Sequence, residues 1–220
     1  MSKINNQVQA VYNLTPLQQG MLYQKILDDK STINFLQYTL QLHGRLDENR
    51  AQEALRLVAA KHDALRTLIL YRKVEKPRQV VLKERNPELR TVDLRQETSQ
   101  TRKEHFRRLL AEDMARGFDL EHDPLLRMIL IRTDDEESAM IWSMHHIIVD
   151  GWCFKRLLDD FAAFYQGLAT GRTFDDQHAM IQMHNRHQVS YGDYVRWLEA
   201  QSRRPHIGKD FLKDTVNPLS

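Results

Sequence analysis

Residues 139–144 (AMIWSM) are apolar at nearly every position. Successive strand residues point to opposite faces of a sheet, so a strand that is apolar throughout needs a cover on both faces. The segment 139–146 is therefore expected as a central strand between layers. A strong helical pattern follows, with Phe154, Leu157, Leu158, Phe161, Ala162, Tyr165 and Leu168 on one broad face. Between strand and helix stands HHIIVDG, residues 145–151. A rigid strand end that runs into a helix is a common place for functional groups to gather.

The remaining chain alternates between the strand and helix periods. Thr15 caps and Pro16 opens a helix expected to reach about residue 27, with Leu17, Met21 and Leu22 at helical spacing. Residues 34–42 read as a strand, and Asp47 caps a second helix carrying Ala51, Leu55, Val58 and Ala59 on one face. The runs RTLILY and RQVVL flank a turn with Pro77 and read as a hairpin; residues 89–94 add a short strand. A third helix is expected from residue 99 to about 114. Phe106, Leu109, Leu110 and Met114 form its inner stripe, and the charges of RKEHFRR its solvated face. Residues 125–132 make a strand separated from the central one by the acidic turn TDDEES. From Thr173 the sequence turns polar and irregular, and Ser190 is expected to cap a last helix through Tyr194, Trp197 and Leu198. No internal repeat is present. Mixed strands with helices outside them indicate an α/β or α+β sandwich.

Charge and cysteine content remove several function classes. Lysine plus arginine number 32 against 30 acidic residues, a net charge of +2 that leaves no electrostatic footprint for nucleic acid. A single cysteine excludes an internal disulfide and a multi-cysteine zinc site. No apolar run approaches the ~18 residues of a membrane span. The N-terminal MSKINNQVQAVYNL lacks the apolar core and cleavage site of a secretory signal. The expected location is cytoplasmic, with no nucleic-acid or membrane partner.

His145 and His146 are adjacent on a strand, so they point to opposite faces and cannot readily serve one metal or one substrate together. One is expected to face the cleft while the other packs beneath. His178, His184 and His187 form a looser cluster in a polar stretch, without an acidic or cysteine partner at fixed offset; surface histidines fit better than a metal site. Asp150 stands where an N-cap belongs, and Gly151 tolerates backbone angles other residues avoid. Histidine is the usual general base, yet it also occurs structurally, so spacing alone leaves both roles open. Cys153 lies in the helix's first turn and is expected as a small buried hydrophobe rather than a nucleophile.

His145, His146, Asp150 and Gly151 reproduce the HHxxxDG motif and resemble that of the condensation domains of nonribosomal peptide synthetases, relatives of chloramphenicol acetyltransferase. LTPLQQGMLY, beginning at Leu14, and DALRT, beginning at Asp63, resemble the first two core motifs of the same family, in the same order. The resemblance implies a chloramphenicol acetyltransferase-like two-layer sandwich, with a mixed central sheet and helices packed outside. This would be one lobe of a two-lobed domain. The lobe is expected over residues 14–175. Residues 176–220 are expected to connect onward, with a helix near 190–201 and a divergent or truncated end. Residues 1–13 resemble a docking segment that receives an upstream part of the synthetase. LTPLQQGML resembles the class that accepts a D-configured donor.

The implied reaction is amide formation between a donor acyl or peptidyl thioester and an acceptor aminoacyl amine. Both are held on the phosphopantetheine arms of partner carrier proteins, and no cofactor is bound by the domain itself. His146 is the expected base, and Gly151 is expected to leave room for the reacting groups and offer an N–H. His145, Asp150 and Arg66 are expected to support the site, Asp150 through an ion pair with an arginine. Two alternatives stay open. One is a stand-alone trimeric acyltransferase of the chloramphenicol acetyltransferase kind, which the long segment after the motif argues against. The other is a non-catalytic docking module or remnant. The second lobe, or self-association, would have to supply the opposite wall of the active-site tunnel.

Overall fold

The apolar run lies inside a four-stranded sheet, as its two-sided hydrophobicity requires. In the computed structural model, residues 7–185 and 191–202 are described, and the chain divides into units 1–188 and 189–220. The first unit contains β1 (Val8–Asn13), α1 (Pro16–Leu27), β2 (Phe35–His43), α2 (Glu48–Lys61), β3 (Thr67–Leu70), β4 (Arg78–Leu82) and β5 (Glu88–Asp93). After these come α3 (Ser99–Arg116), β6 (Leu126–Arg132), β7 (Glu137–His145), α4 (Gly151–Ala169) and α5 (Phe174–Asn185). The second unit contributes α6 (Tyr191–Ser202), along which Tyr191, Tyr194 and Trp197 follow one another ring against ring. The expected cap Ser190, His187, the first six residues and the tail from 203 lie outside the described residues.

The main sheet has the order β2-β7-β6-β5, antiparallel except for the parallel β5–β6 pair. Cross-strand register sets Tyr38, Trp142, Met128 and Leu89 in one row on one face. That face packs against α2 and α4 through Leu55, Val58, Leu157 and Phe161. On the opposite face Ile129, Ile131 and Ile141 meet Leu109 of α3. The sheet is thus mixed and helix-covered. α2 and α4 cover one face and α3 meets the other. At about 25 cal/mol per Å2 of apolar area, a fully buried Leu or Ile contributes roughly 1.5–3 kcal/mol, and most of β6 and β7 is buried in this way.

A second, three-stranded sheet has the order β1-β4-β3, all antiparallel. It contains the expected hairpin (β3–β4). It also contains Val8–Asn13, within the segment 1–13 that resembles a docking region. Further differences concern helix faces. Leu17 and Met114, expected inside, are exposed, and Ala162 is exposed as well. Gln18 and Asp113 take the inward positions on α1 and α3 instead. The polar stretch after Thr173 is helical: α5 buries Gln177 and Ile181 although its sequence shows little amphipathic pattern. Gly117 ends α3 with φ of 59°, a left-handed conformation that glycine adopts without a Cβ penalty.

Candidate active site

β7 delivers the HHIIVDG segment to the end of the main sheet, and backbone hydrogen bonds hold its two histidines. The His145 N–H donates to the Leu125 carbonyl at 3.1 Å, and the His146 N–H to the Asn34 carbonyl at 2.8 Å. The chain then turns, the Ile148 N–H donating to the His145 carbonyl at 3.2 Å. Gln18 of α1 donates its amide to the Ile147 carbonyl at 3.1 Å and to Gln79 at 3.2 Å. The same Gln18 accepts from the Thr15 N–H at 2.9 Å and closes the α1 capping box. One side chain therefore joins the α1 cap, the small sheet and the histidine turn.

The two histidines divide as strand alternation requires. His145 is buried at 6% exposure, its ring edge-on to Phe118 with centroids 6.4 Å apart. Its Nδ1 accepts the Ile147 N–H at 3.1 Å, so that nitrogen carries no proton. Burial above all, then the nearby positive charge of Lys25 and of His146, lowers its pKa to about 4. His145 is a neutral bracket for the turn. His146 is only half-buried, and its Nδ1 lies 2.7 Å from the Val149 carbonyl. A carbonyl only accepts, so Nδ1 carries the hydrogen, and in the neutral ring Nε2 holds the lone pair. Nε2 has no hydrogen-bond partner among the described residues.

Asp150 is the N-cap of α4, accepting the Cys153 N–H at 2.9 Å. Its hydrogen bonds to Cys153, side chain and backbone, hold its carboxyl below the usual range. Among the described residues it makes no ion pair with an arginine, so the expected pairing is replaced by the cap. Gly151 is exposed at the first position of α4, and a Cβ there would stand 3.6 Å from the Tyr38 hydroxyl, an ordinary contact. Nothing in the fold forbids a side chain at Gly151. Cys153 is exposed rather than buried, and partial burial followed by Asp150 pushes its thiol pKa up, away from thiolate chemistry.

Arg66 does not support the motif directly. Its buried guanidinium donates to the Ala59 carbonyl at 3.0 Å, to Gln9 at 2.7 Å, to the Leu82 carbonyl, and to Asp63. It joins α2 to the small sheet. Sequence reasoning missed Gln18, Asn34 and Tyr38. Gln18 lies within LTPLQQGMLY, but its inward direction is visible only once Leu17 is seen to point outward. Tyr38 stacks on Phe154 of α4 with centroids 3.9 Å apart and planes 9° from parallel, seating the helix start against β2. Among the described residues no group of three His, Cys, Asp or Glu side chains is placed to hold a metal, and no helix is long and apolar enough to cross a membrane. His178 stacks on Phe174.

The helix-covered mixed sheet is the fold of solved condensation domains. The starter condensation domain of the rhizomide synthetase RzmA superimposes with a TM-score of 0.73 at 17% identity, over 96% of this chain and 51% of that one. The first condensation domain of the calcium-dependent antibiotic synthetase, in complex with a substrate analogue, gives 0.71 at 20%, over 96% and 50%. At such identities the likeness concerns the fold. Sequence carries the rest: the Condensation domain family matches residues 8–211. A plipastatin synthase of Bacillus subtilis (strain 168) is 35% identical over 198 residues, 90% of this chain and 7% of the relative. Tyrocidine synthase 2 of Brevibacillus parabrevis is 33% identical over 209 residues, 94% of this chain and 6% of the relative. The chain belongs to the condensation-domain family of the nonribosomal peptide synthetases. It spans a small fraction of those synthetases and about half of the two solved domains.

Proposed function

We propose that this chain forms one lobe of an amide-forming condensation domain and that His146 is its base. The acceptor amine attacks the carbonyl carbon of the donor thioester. The C–N bond forms, the C–S bond breaks, and the proton lost by the amine ends on the departing sulfur. An α-amine has a reference pKa near ~8, so part of it is free at neutral pH and the base need only take the proton as the bond forms. The observation that carries this reading is the Nδ1–H bond of His146 to Val149, which leaves Nε2 as the accepting nitrogen. Gly151 beside it leaves room for the acyl group.

Donor and acceptor arrive on the phosphopantetheine arms of carrier proteins, so the lobe needs no cofactor of its own. The N-terminus receives an upstream part of the synthetase, and the form LTPLQQGML favours a donor of the D-configured class. A second lobe, or a second copy of this one, supplies the facing wall. The twofold length of the solved domains supports that division. Positioning can carry ~7–11 kcal/mol of a barrier, so the wall matters as much as the base.

The test mixes the chain with donor-loaded and acceptor-loaded carrier proteins and follows the dipeptidyl thioester by mass spectrometry. His146→Ala is expected to slow product formation by about 100-fold or more, the lower end for general base catalysis. Turnover unchanged in that variant overturns the assignment.

A further inference from the structure

A cavity of about 430 Å3 lies between the N-terminal half of α3 and the end of the main sheet where β2 finishes and β7 begins. β7 spans nine residues, so at ~3.3 Å per residue this cavity is roughly 26 Å from His145 and apart from the reacting centre. Its volume is within the usual range for small-molecule sites.

Arg102, Lys103 and Arg107 line it from α3. The other cations of this helix are paired, His105 with Glu97, Arg108 with Glu112 and Arg116 with Glu88, while Glu104 accepts from Gln100. Among the described residues these three cations have no ion-pair partner. The guanidinium of Arg102 donates through Nη2 to the Glu97 carbonyl at 3.2 Å, while its Nε is buried with no hydrogen-bond partner. A buried unpartnered donor calls for an acceptor. The first turn of α3 itself holds no acidic residue, its cap being the neutral Thr98 with Glu97 just before it. Phe106 supplies an aromatic wall. Glu137, opposite His43 in the strand register, is the acidic side chain in the lining.

We infer that this cavity binds an organic phosphate of nucleoside-monophosphate size, its phosphate on Arg102, Lys103 and Arg107 and its planar part along Phe106. Guanidinium groups suit phosphate oxygens because they donate in a fixed fork.

Isothermal titration calorimetry of the whole chain with adenosine monophosphate, adenosine and inorganic phosphate tests this. Adenosine monophosphate is expected to saturate one site, with adenosine and inorganic phosphate each about tenfold weaker or more. Arg102→Gln is expected to weaken the nucleotide by about tenfold. If that variant does not fold, the exposed pair Lys103→Gln with Arg107→Gln reads the same loss. Glu137→Gln is expected to tighten binding about threefold by removing a like charge. No saturable heat, adenosine binding as tightly as the nucleotide, inorganic phosphate doing so, or cation variants that bind unchanged would each overturn the inference. Binding heat is read without condensation turnover, so this outcome is separate from that of the amide-forming reading.

Discussion

A single nitrogen decides what each histidine of the motif does. His146 spends Nδ1–H on Val149 and keeps Nε2 as acceptor, whereas His145 spends the lone pair of Nδ1 on the Ile147 N–H and must stay neutral to do so. Its pKa near 4 in the folded chain, against an ordinary 6.5, means that the unfolded chain binds the proton first. Above pH 6.5 the group makes no difference to stability. As pH falls from there toward 4, protonation favours the unfolded state, and the loss reaches roughly 3 kcal/mol below that value. His62 is also lowered, chiefly by burial and against its Asp160 partner, so it titrates in the same sense. The quantity to read is therefore the difference between this chain and His145→Gln in urea unfolding from pH 7 to 4. The variant should lose about 3 kcal/mol less over that window; equal slopes would mean that His145 is not a buried neutral bracket. Strand alternation alone separates the two rings. Which one is inside is not visible in the sequence, because it depends on Phe118 and Leu125 approaching from elsewhere in the chain.

At the scale of elements, sequence period locates the strands and helices well and their facing less well. The run 139–144 requires a covered central strand, and β7 is one. On α3 the apolar stripe predicts Met114 inside, yet Asp113 is buried there. The reason lies across the interface, where the sheet presents Arg127 and Ser143. Arg127 Nε lies 2.5 Å from Asp113 Oδ1, and Ser143 and Gln37 also donate to that carboxylate. Arg127 further donates to the Gly117 carbonyl at 2.6 Å and lies 4.1 Å from the centre of the Phe118 ring. A periodicity count scores Asp113 as outward because it cannot see the cation it will meet. Removing one partner of a buried pair strands the other, which costs about 3–5 kcal/mol, while an apolar replacement of both can be neutral. Asp113→Ala should therefore lower the stability of the lobe by that amount in chemical denaturation. The double variant Asp113→Leu with Arg127→Met should recover most of it. Equal losses in the single and double variants would mean that α3 is held by its leucines and not by this pair.

For the whole molecule, the instructive element is β1. Residues 1–13 resemble a docking segment, and their strand is hard to see in the sequence because a short alternating run carries little hydrophobic signal and its partner lies far along the chain. In the structure β1 is an edge strand of the small sheet, paired with β4. Its Gln9 accepts from Arg66 at 2.7 Å, and the Asn13 carbonyl accepts from buried Gln79 at 2.7 Å. Gln79 in turn holds Gln18, which holds Ile147 in the histidine turn. The start of the chain is thus linked by side chains to the motif. A deletion ending at residue 6 leaves β1 in place, while one ending at residue 13 removes it and takes one hydrogen-bond partner each from buried Arg66 and Gln79. Each such loss costs ~1–3 kcal/mol, so the longer deletion should be less stable than the shorter by about 2–6 kcal/mol in urea unfolding. If the two unfold together, β1 is an ornament of the edge and the link to the motif is broken in solution. The same comparison decides how a docking role for the N-terminus can be measured. Affinity for an upstream synthetase lost only in the longer deletion reports a damaged lobe, whereas affinity lost already in the shorter one, with the unfolding midpoint intact, assigns the contact to the residues before Gln7.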